Sequence, residues 1–112
     1  MTTKLMNSAM MPCSGDYECR AIHFHDFIYS IEEAHERKEL ESYIGYQQNC
    51  DLIYKWSGIK IEPNRSQTTL EHGDFMLVMK LKYRANPLEK GKEVKEDDFE
   101  FFIVRYYTTT AE

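Results

Sequence analysis

A chain of 112 residues has room for one compact domain, residues 1–112, and its formal net charge of −5 argues against wholesale coating of duplex DNA, which takes a basic face. Hydrophobic residues at 42% and aromatics at 13% supply a core and exclude a disordered tail. No apolar run nears the roughly 20 residues that span a bilayer, and the first residues, Met1 to Asn7, lack a signal peptide's apolar stretch, so no membrane partner is expected.

Cys13, Cys19 and Cys50 are an odd number at irregular spacing, which fits a reducing cytoplasm rather than a secreted disulfide framework. A domain this small buries a limited fraction of its surface, which favours a homodimer sharing a core.

In chain order, Thr3 to Ala9 reads as a short strand and Pro12 with Ser14-Gly15-Asp16 as a turn. Tyr17 to Phe24 alternates loosely, as a second strand does. Asp26 is placed to N-cap a helix whose apolar stripe is Phe27, Ile28, Ile31 and Ala34, running to about Lys38. Acids early and bases late in that segment suit the helix dipole.

Ser42-Tyr43-Ile44 leads into the stretch that organises the chain. Gly45 makes a turn, and Leu52, Ile53 and Trp56 then recur at helical spacing. Gly58 supplies the left-handed residue that ends a helix at Ser57. A turn before a helix N-terminus leaves backbone N–H groups pointing one way, which suits an anion. The plainer reading is that Gly45 only permits a tight bend.

Beyond Arg65, Ser66 to Leu70 is rich in threonine and reads as a strand. Glu71-His72-Gly73-Asp74 is a turn, and Phe75 to Tyr83 alternates as the clearest strand, with Phe75, Leu77, Met79, Leu81 and Tyr83 on one face. These two runs are expected to pair as an antiparallel hairpin. Arg84 to Lys95, with Pro87, Gly91 and many charges, reads as a mobile loop. Glu96-Asp97-Asp98 suits one helical turn. Phe99 to Tyr107 is apolar on both faces, as a strand inside a sheet is, and Thr108 to Glu112 reads as a tail. The sum is an α+β, α/β-like domain with a mixed sheet of about five strands and flanking helices.

Several constellations compete for chemistry. His23-x-His25 on a strand would place two imidazoles on one face, with Asp26 and a cysteine nearby, but no metal-ligand spacing supports them and no metal is expected. A Cys13 or Cys50 nucleophile has no motif behind it. Tyr43, Tyr46, Tyr54, Tyr83, Tyr106 and Tyr107 could stack bases, though such residues are commonly core and rim. Trp56 reads as core.

The ordered set Leu5 to Ala9, Ile44-Gly45, Gly58, Asn64-Arg65, the Glu71-x-Gly-Asp turn, Arg84, Gly91-Lys92 and Glu100-Phe101-Phe102 resembles the viral ring nucleases. These are anti-CRISPR proteins acting on type III systems, with the fold of an archaeal turreted-virus protein. The resemblance covers nearly the whole chain. It implies a homodimer that holds a cyclic oligonucleotide such as cyclic tetra-adenylate across its two-fold axis, in a host cytoplasm, with no cofactor. Implied ligand contacts are Asn7, Ser8, Ala9, Gly45, Tyr46, Gln48, Asn49, Arg65, Arg84, Lys90 and Lys92.

The catalytic members carry His directly after Ile-Gly, then Asp-Ser-Thr, and a Glu before the later Gly-Lys. Here the His position is Tyr46, the Ser-Thr positions are Gln48 and Asn49, and Lys90 stands before Gly91 with Glu89 one step back. Three residues are inserted in Ala85 to Leu88. A phenol titrates near 10 against about 6.5 for imidazole, and a positioned acid–base group contributes roughly 10²–10⁴-fold to rate. Tyr46 and Glu89 are therefore degenerate catalytic positions, and the resemblance points to a sponge that binds a cyclic nucleotide and leaves it whole. The alternatives are an active ring nuclease recruiting Tyr46, Glu89 or His72, and a non-enzymatic module that binds a host defence protein.

Overall fold

The structure, a computed structural model, describes residues 2–7, 14–66, 70–82 and 95–107. Within them the chain runs β1 (Thr3–Met6), β2 (Asp16–Ile22), α1 (Phe24–Glu36), β3 (Leu40–Ser42), α2 (Gln47–Ser57), β4 (Phe75–Leu81), a 3-10 turn at Glu96–Asp98 and β5 (Phe99–Tyr107). The strands form one sheet in the order β2-β5-β4-β1-β3. β1 pairs in parallel with β3 on one side and β4 on the other, while β5 is antiparallel to both β4 and β2. The expected mixed five-stranded sheet with two helices is present.

One of the five strands is not the expected one. β4 is bonded to β1 and β5 from Phe75 onward, so both its edges are taken where a hairpin with Ser66 to Leu70 would have to form. Ser66 and Leu70 are irregular, and residues 67–69 lie outside the described set. The fifth strand is β3, only three residues long and too short to show a period of two. The strand ends expected at Ala9 and Tyr83, the loop from Arg84 and the tail from Thr108 also fall outside the described residues.

α1 buries Phe27, Ile31 and Ala34 along one stripe, as the spacing requires. It begins earlier than expected. His23 is the N-cap, with no capping side chain, and Asp26 stands inside the first turn, where a carboxylate still suits the dipole. The helix closes at Lys38, which takes a positive φ of 59°, while the Glu39 N–H donates to Ala34 O at 2.9 Å. α2 buries Cys50 and Ile53 and ends at Gly58, whose φ of 78° and N–H bond to Tyr54 O at 2.8 Å are the expected left-handed cap.

Both helices lie on one face of the sheet. There Leu5, Leu77, Met79, Phe99 and Phe101 pack with Phe27, Ile31, Ile44, Cys50 and Ile53. Trp56 stands edge-on to Phe24, Phe99 and Phe101 and, partly buried, packs against the core. Burying each large side chain is worth about 1.5–3 kcal/mol, which makes this face the main source of stability. The opposite face carries a smaller cluster of Leu70, Met76, Val78, Val104 and Tyr106. β4 and β5 are therefore apolar on both sides because both faces are covered.

The turn before β4 anchors the start of the sheet. The buried Asp74 carboxylate accepts the Thr2 N–H at 3.0 Å and the Glu71 N–H at 2.8 Å. Gly73, at a φ of 88°, lets the turn reach Tyr106 O through its own N–H at 2.9 Å.

Candidate functional site

Because β1, β3 and β4 are mutually parallel, their carboxyl ends open at one edge of the domain. Asn7 follows β1 there, Gly45 follows β3, and Lys82 follows β4. β1 is the strand from which the chain departs to one side as β3 and to the other as β4. The ends of parallel strands are a usual ligand position in open sheets.

Asn64 and Arg65 return to this point and run beside residues 42–45. Asn64 donates its backbone N–H to Ile44 O at 2.8 Å and its amide Nδ2 to Ser42 O at 3.0 Å. Its own Oδ1 accepts the Ser66 N–H at 2.9 Å. Arg65 donates from Nε to Gly45 O at 2.9 Å, and its guanidinium lies over the Tyr46 ring at 5.3 Å. The side chain can take this path because Gly45 has no Cβ: one built there would meet Arg65 Cγ at 3.0 Å. Gly45 is thus needed for a close approach and not only for a bend.

α2 starts immediately after. Tyr46 is its N-cap in an extended conformation, no side chain caps the helix, and the first turn holds no acid. Tyr46 O accepts the N–H groups of Asn49 and Cys50, while the N–H groups of Gln47 and Gln48 stand at the open end, where an α-helix has no internal partner for them. Gln47 is engaged with Asp51 through its side chain at 2.8 Å. Tyr46, Gln48 and Arg65 are exposed, so an aromatic face, an amide and a cation are offered to solvent together.

Of the expected ligand contacts, the structure brings Gly45, Tyr46, Gln48, Asn49 and Arg65 to one turn, with Asn7 at the end of the neighbouring strand. Ser8, Ala9, Arg84, Glu89, Lys90 and Lys92 lie outside the described residues. His72 sits at the amino end of β4, against Tyr107, at the opposite edge of the domain from Gly45, so it is no substitute acid for this turn. Two further cations went unassigned in the sequence: Lys82, beyond the end of β4, and the buried Lys4 on β1, whose Nζ lies 5.6 Å from the Tyr43 ring centroid. The emergence of Lys80 and Lys82 from an apolar strand was the available signal for the first. A lysine in a four-residue strand gives none for the second.

The competing constellations change with the fold. His23 and His25 do not share a strand face, because α1 begins at Phe24 between them, and among the described residues no group of His, Cys, Asp and Glu is placed to hold a metal ion. Cys50 is buried in the core, and its thiol is pushed above its ordinary value by that burial and by the charges of Asp51 and Glu62, the reverse of an activated nucleophile.

Two helices on one face of a mixed sheet, with an arginine and an aromatic ring at an uncapped helix start, define a small α+β domain with an open polar turn at its strand ends. The chain belongs to the STIV B116-like family, whose model matches residues 3–108. Among solved structures it is similar to B116 of Sulfolobus turreted icosahedral virus, at 18% identity over 95% of this chain and 100% of that one, with a TM-score of 0.79. At that identity the likeness shows the fold. Comparison with curated proteins gives no match. No helix among the described residues is long and apolar enough to cross a membrane.

Proposed function

We propose that the chain is a viral or phage counter-defence protein that binds a cyclic oligonucleotide at the Gly45–Asn49 turn and sequesters it uncut. One observation carries this reading: Arg65, exposed, is held to Gly45 O through Nε and lies over the Tyr46 ring at the turn where α2 begins, with its terminal amino groups not used in that bond. A guanidinium offered this way takes a phosphate by two parallel hydrogen bonds, and the helix start favours the same charge. The Tyr46 ring, backed by that guanidinium, offers a platform for a base.

Sequestration rather than cleavage follows from Tyr46. The position that carries an imidazole in the ring nucleases holds a phenol here, and none of the described residues of the turn, 45–49 and 64–65, is a histidine. In this proposal two copies face one cyclic tetra-adenylate, each supplying Arg65 and Tyr46, with Arg84, Lys90 and Lys92 completing the phosphate contacts.

The test is incubation of the purified protein with cyclic tetra-adenylate and its ring-size relatives, followed by mass spectrometry of the released ligand. The expected result is intact ligand recovered from a complex that Arg65→Ala weakens at least about tenfold, as expected for the loss of a charge-assisted pair. Linear products would overturn sequestration, and failure to bind any cyclic oligonucleotide would overturn the nucleotide reading.

A further inference from the structure

Arg65 is exposed, and a long side chain on a surface ordinarily samples many rotamers. Here it is confined along its length: Nε bonds Gly45 O, and the guanidinium lies over the Tyr46 ring. The backbone that carries it is confined by its neighbour. Asn64 Oδ1 accepts the Ser66 N–H at 2.9 Å, a bond to the residue two positions on that brackets Arg65 as the middle of an Asx turn. Such a turn restricts the φ and ψ of its middle residue, and with them the direction of that residue's Cα–Cβ bond.

The same Asn64 side chain fixes where the turn stands. Its Nδ2 donates to Ser42 O at 3.0 Å, and the Asn64 backbone N–H donates to Ile44 O at 2.8 Å. Ser42 ends β3, and its Oγ accepts the Ile44 N–H at 3.4 Å. Apart from the bond Arg65 makes itself, every described hydrogen bond that joins residues 64–66 to residues 42–45 is made by Asn64. The task needs an amide of this length. An aspartate has no hydrogen to give Ser42 O, and a serine hydroxyl that accepts the Ser66 N–H is too short to reach β3 as well.

We infer that Asn64 is a positioning residue of the nucleotide site: resting on that reading of the turn, it acts through Arg65 and sets the guanidinium over Tyr46 before a ligand arrives. A cation already in place loses less freedom on binding than one gathered from solution. Affinity therefore depends on Asn64 although its amide is spent on backbone. Its contribution is contained within that of Arg65. Cutting Arg65 back removes the group being positioned, and Asn64 then has nothing left to add to binding.

The test has a ligand-free arm and a ligand arm, both on the full chain, with circular dichroism confirming that each variant is folded. In the first, heteronuclear NMR follows exchange of the Arg65 Nε–H with solvent. It should exchange about tenfold more slowly than the Nε–H of exposed Arg20, and Asn64→Ala should remove that difference. Asn64→Ser keeps a hydroxyl for the Ser66 N–H, loses the bond to Ser42 O, and should lose the protection too. In the second arm, titration calorimetry measures cyclic tetra-adenylate binding by the parent, Asn64→Ala, Arg65→Ala and the double variant. Asn64→Ala should weaken binding about tenfold, and adding it to Arg65→Ala should change affinity by less than about twofold. An unprotected Arg65 Nε–H in the parent, or protection that survives in either Asn64 variant, overturns the proposal. So does an equal loss of affinity in both backgrounds, the mark of a residue that only supports the fold. A parent that binds no cyclic oligonucleotide overturns the nucleotide reading itself, and the exchange measurement still decides whether Asn64 holds Arg65.

Discussion

A methyl group at residue 45 would fall 3.0 Å from Arg65 Cγ and 3.4 Å from its Nε. Gly45→Ala should therefore push the arginine off the turn, weakening cyclic-nucleotide binding about tenfold while changing unfolding free energy by less than about 1 kcal/mol, because Arg65 is exposed and contributes little to the core. Titration calorimetry and chemical denaturation separate the two effects. Cys50 gives a second prediction at this scale. Its folded thiol ionises above the ordinary value of 9.0, so below that pH the folded and unfolded thiols are both protonated and stability is unaffected. As pH climbs past about 9 the unfolded thiol ionises first and stability falls. Denaturation midpoints measured from pH 8 to 10.5 should drop more steeply for the parent than for Cys50→Ala. The turn itself was readable at this scale: Gly45 and Asn64-Arg65 stand out as residues. That Arg65 bonds Gly45 O was not, because twenty positions separate them and no local rule links the two.

Among the elements, α2 is legible in its end and most of its face. Gly58 sets the end, Ile53 is buried and Leu52 and Trp56 are partly buried as the spacing requires, while the buried Cys50 was not in the expected stripe. Gly58→Ala meets no atom within 4 Å, so its cost is backbone strain alone, about 1 kcal/mol for a left-handed residue with a Cβ, readable as a drop in melting temperature. Asp74→Asn replaces one acceptor of two buried N–H bonds with a donor and should cost about 1–3 kcal/mol in the same assay. α1 was less legible at its start, because His23 is an N-cap without a capping bond and Asp26 looks like a better one. The hairpin expected at Glu71 to Asp74 failed for a deeper reason. Turn chemistry proposes the nearest run as a partner, but Phe75 is bonded into a ladder with β1, some seventy residues earlier in the chain. Local patterning identified β4 as a strand and could not say whose neighbour it was.

For the whole molecule, the strand count agreed with expectation while the membership did not: β3 took the place assigned to Ser66 to Leu70. A three-residue strand exists only because β1 already offers an edge to it, so its existence is a property of the assembled sheet. The exchange of amide hydrogens should follow the same hierarchy. Met76, Val78 and Val104, inside the sheet and covered on both faces, should exchange slowest, and Cys19 and Ala21 on the β2 edge faster by orders of magnitude in dilute protein.

β5 lies between β2 and β4, and among the described residues those two strands are joined in the sheet only through it. During translation the chain therefore emerges with a slot where its last strand belongs. Until Phe99–Tyr107 clears the ribosome, Phe24, Phe27 and Trp56 lack the Phe99 and Phe101 rings they pack against. A nascent chain halted after Leu81 has a sheet that cannot close, and its apolar rings are left for a chaperone to shield.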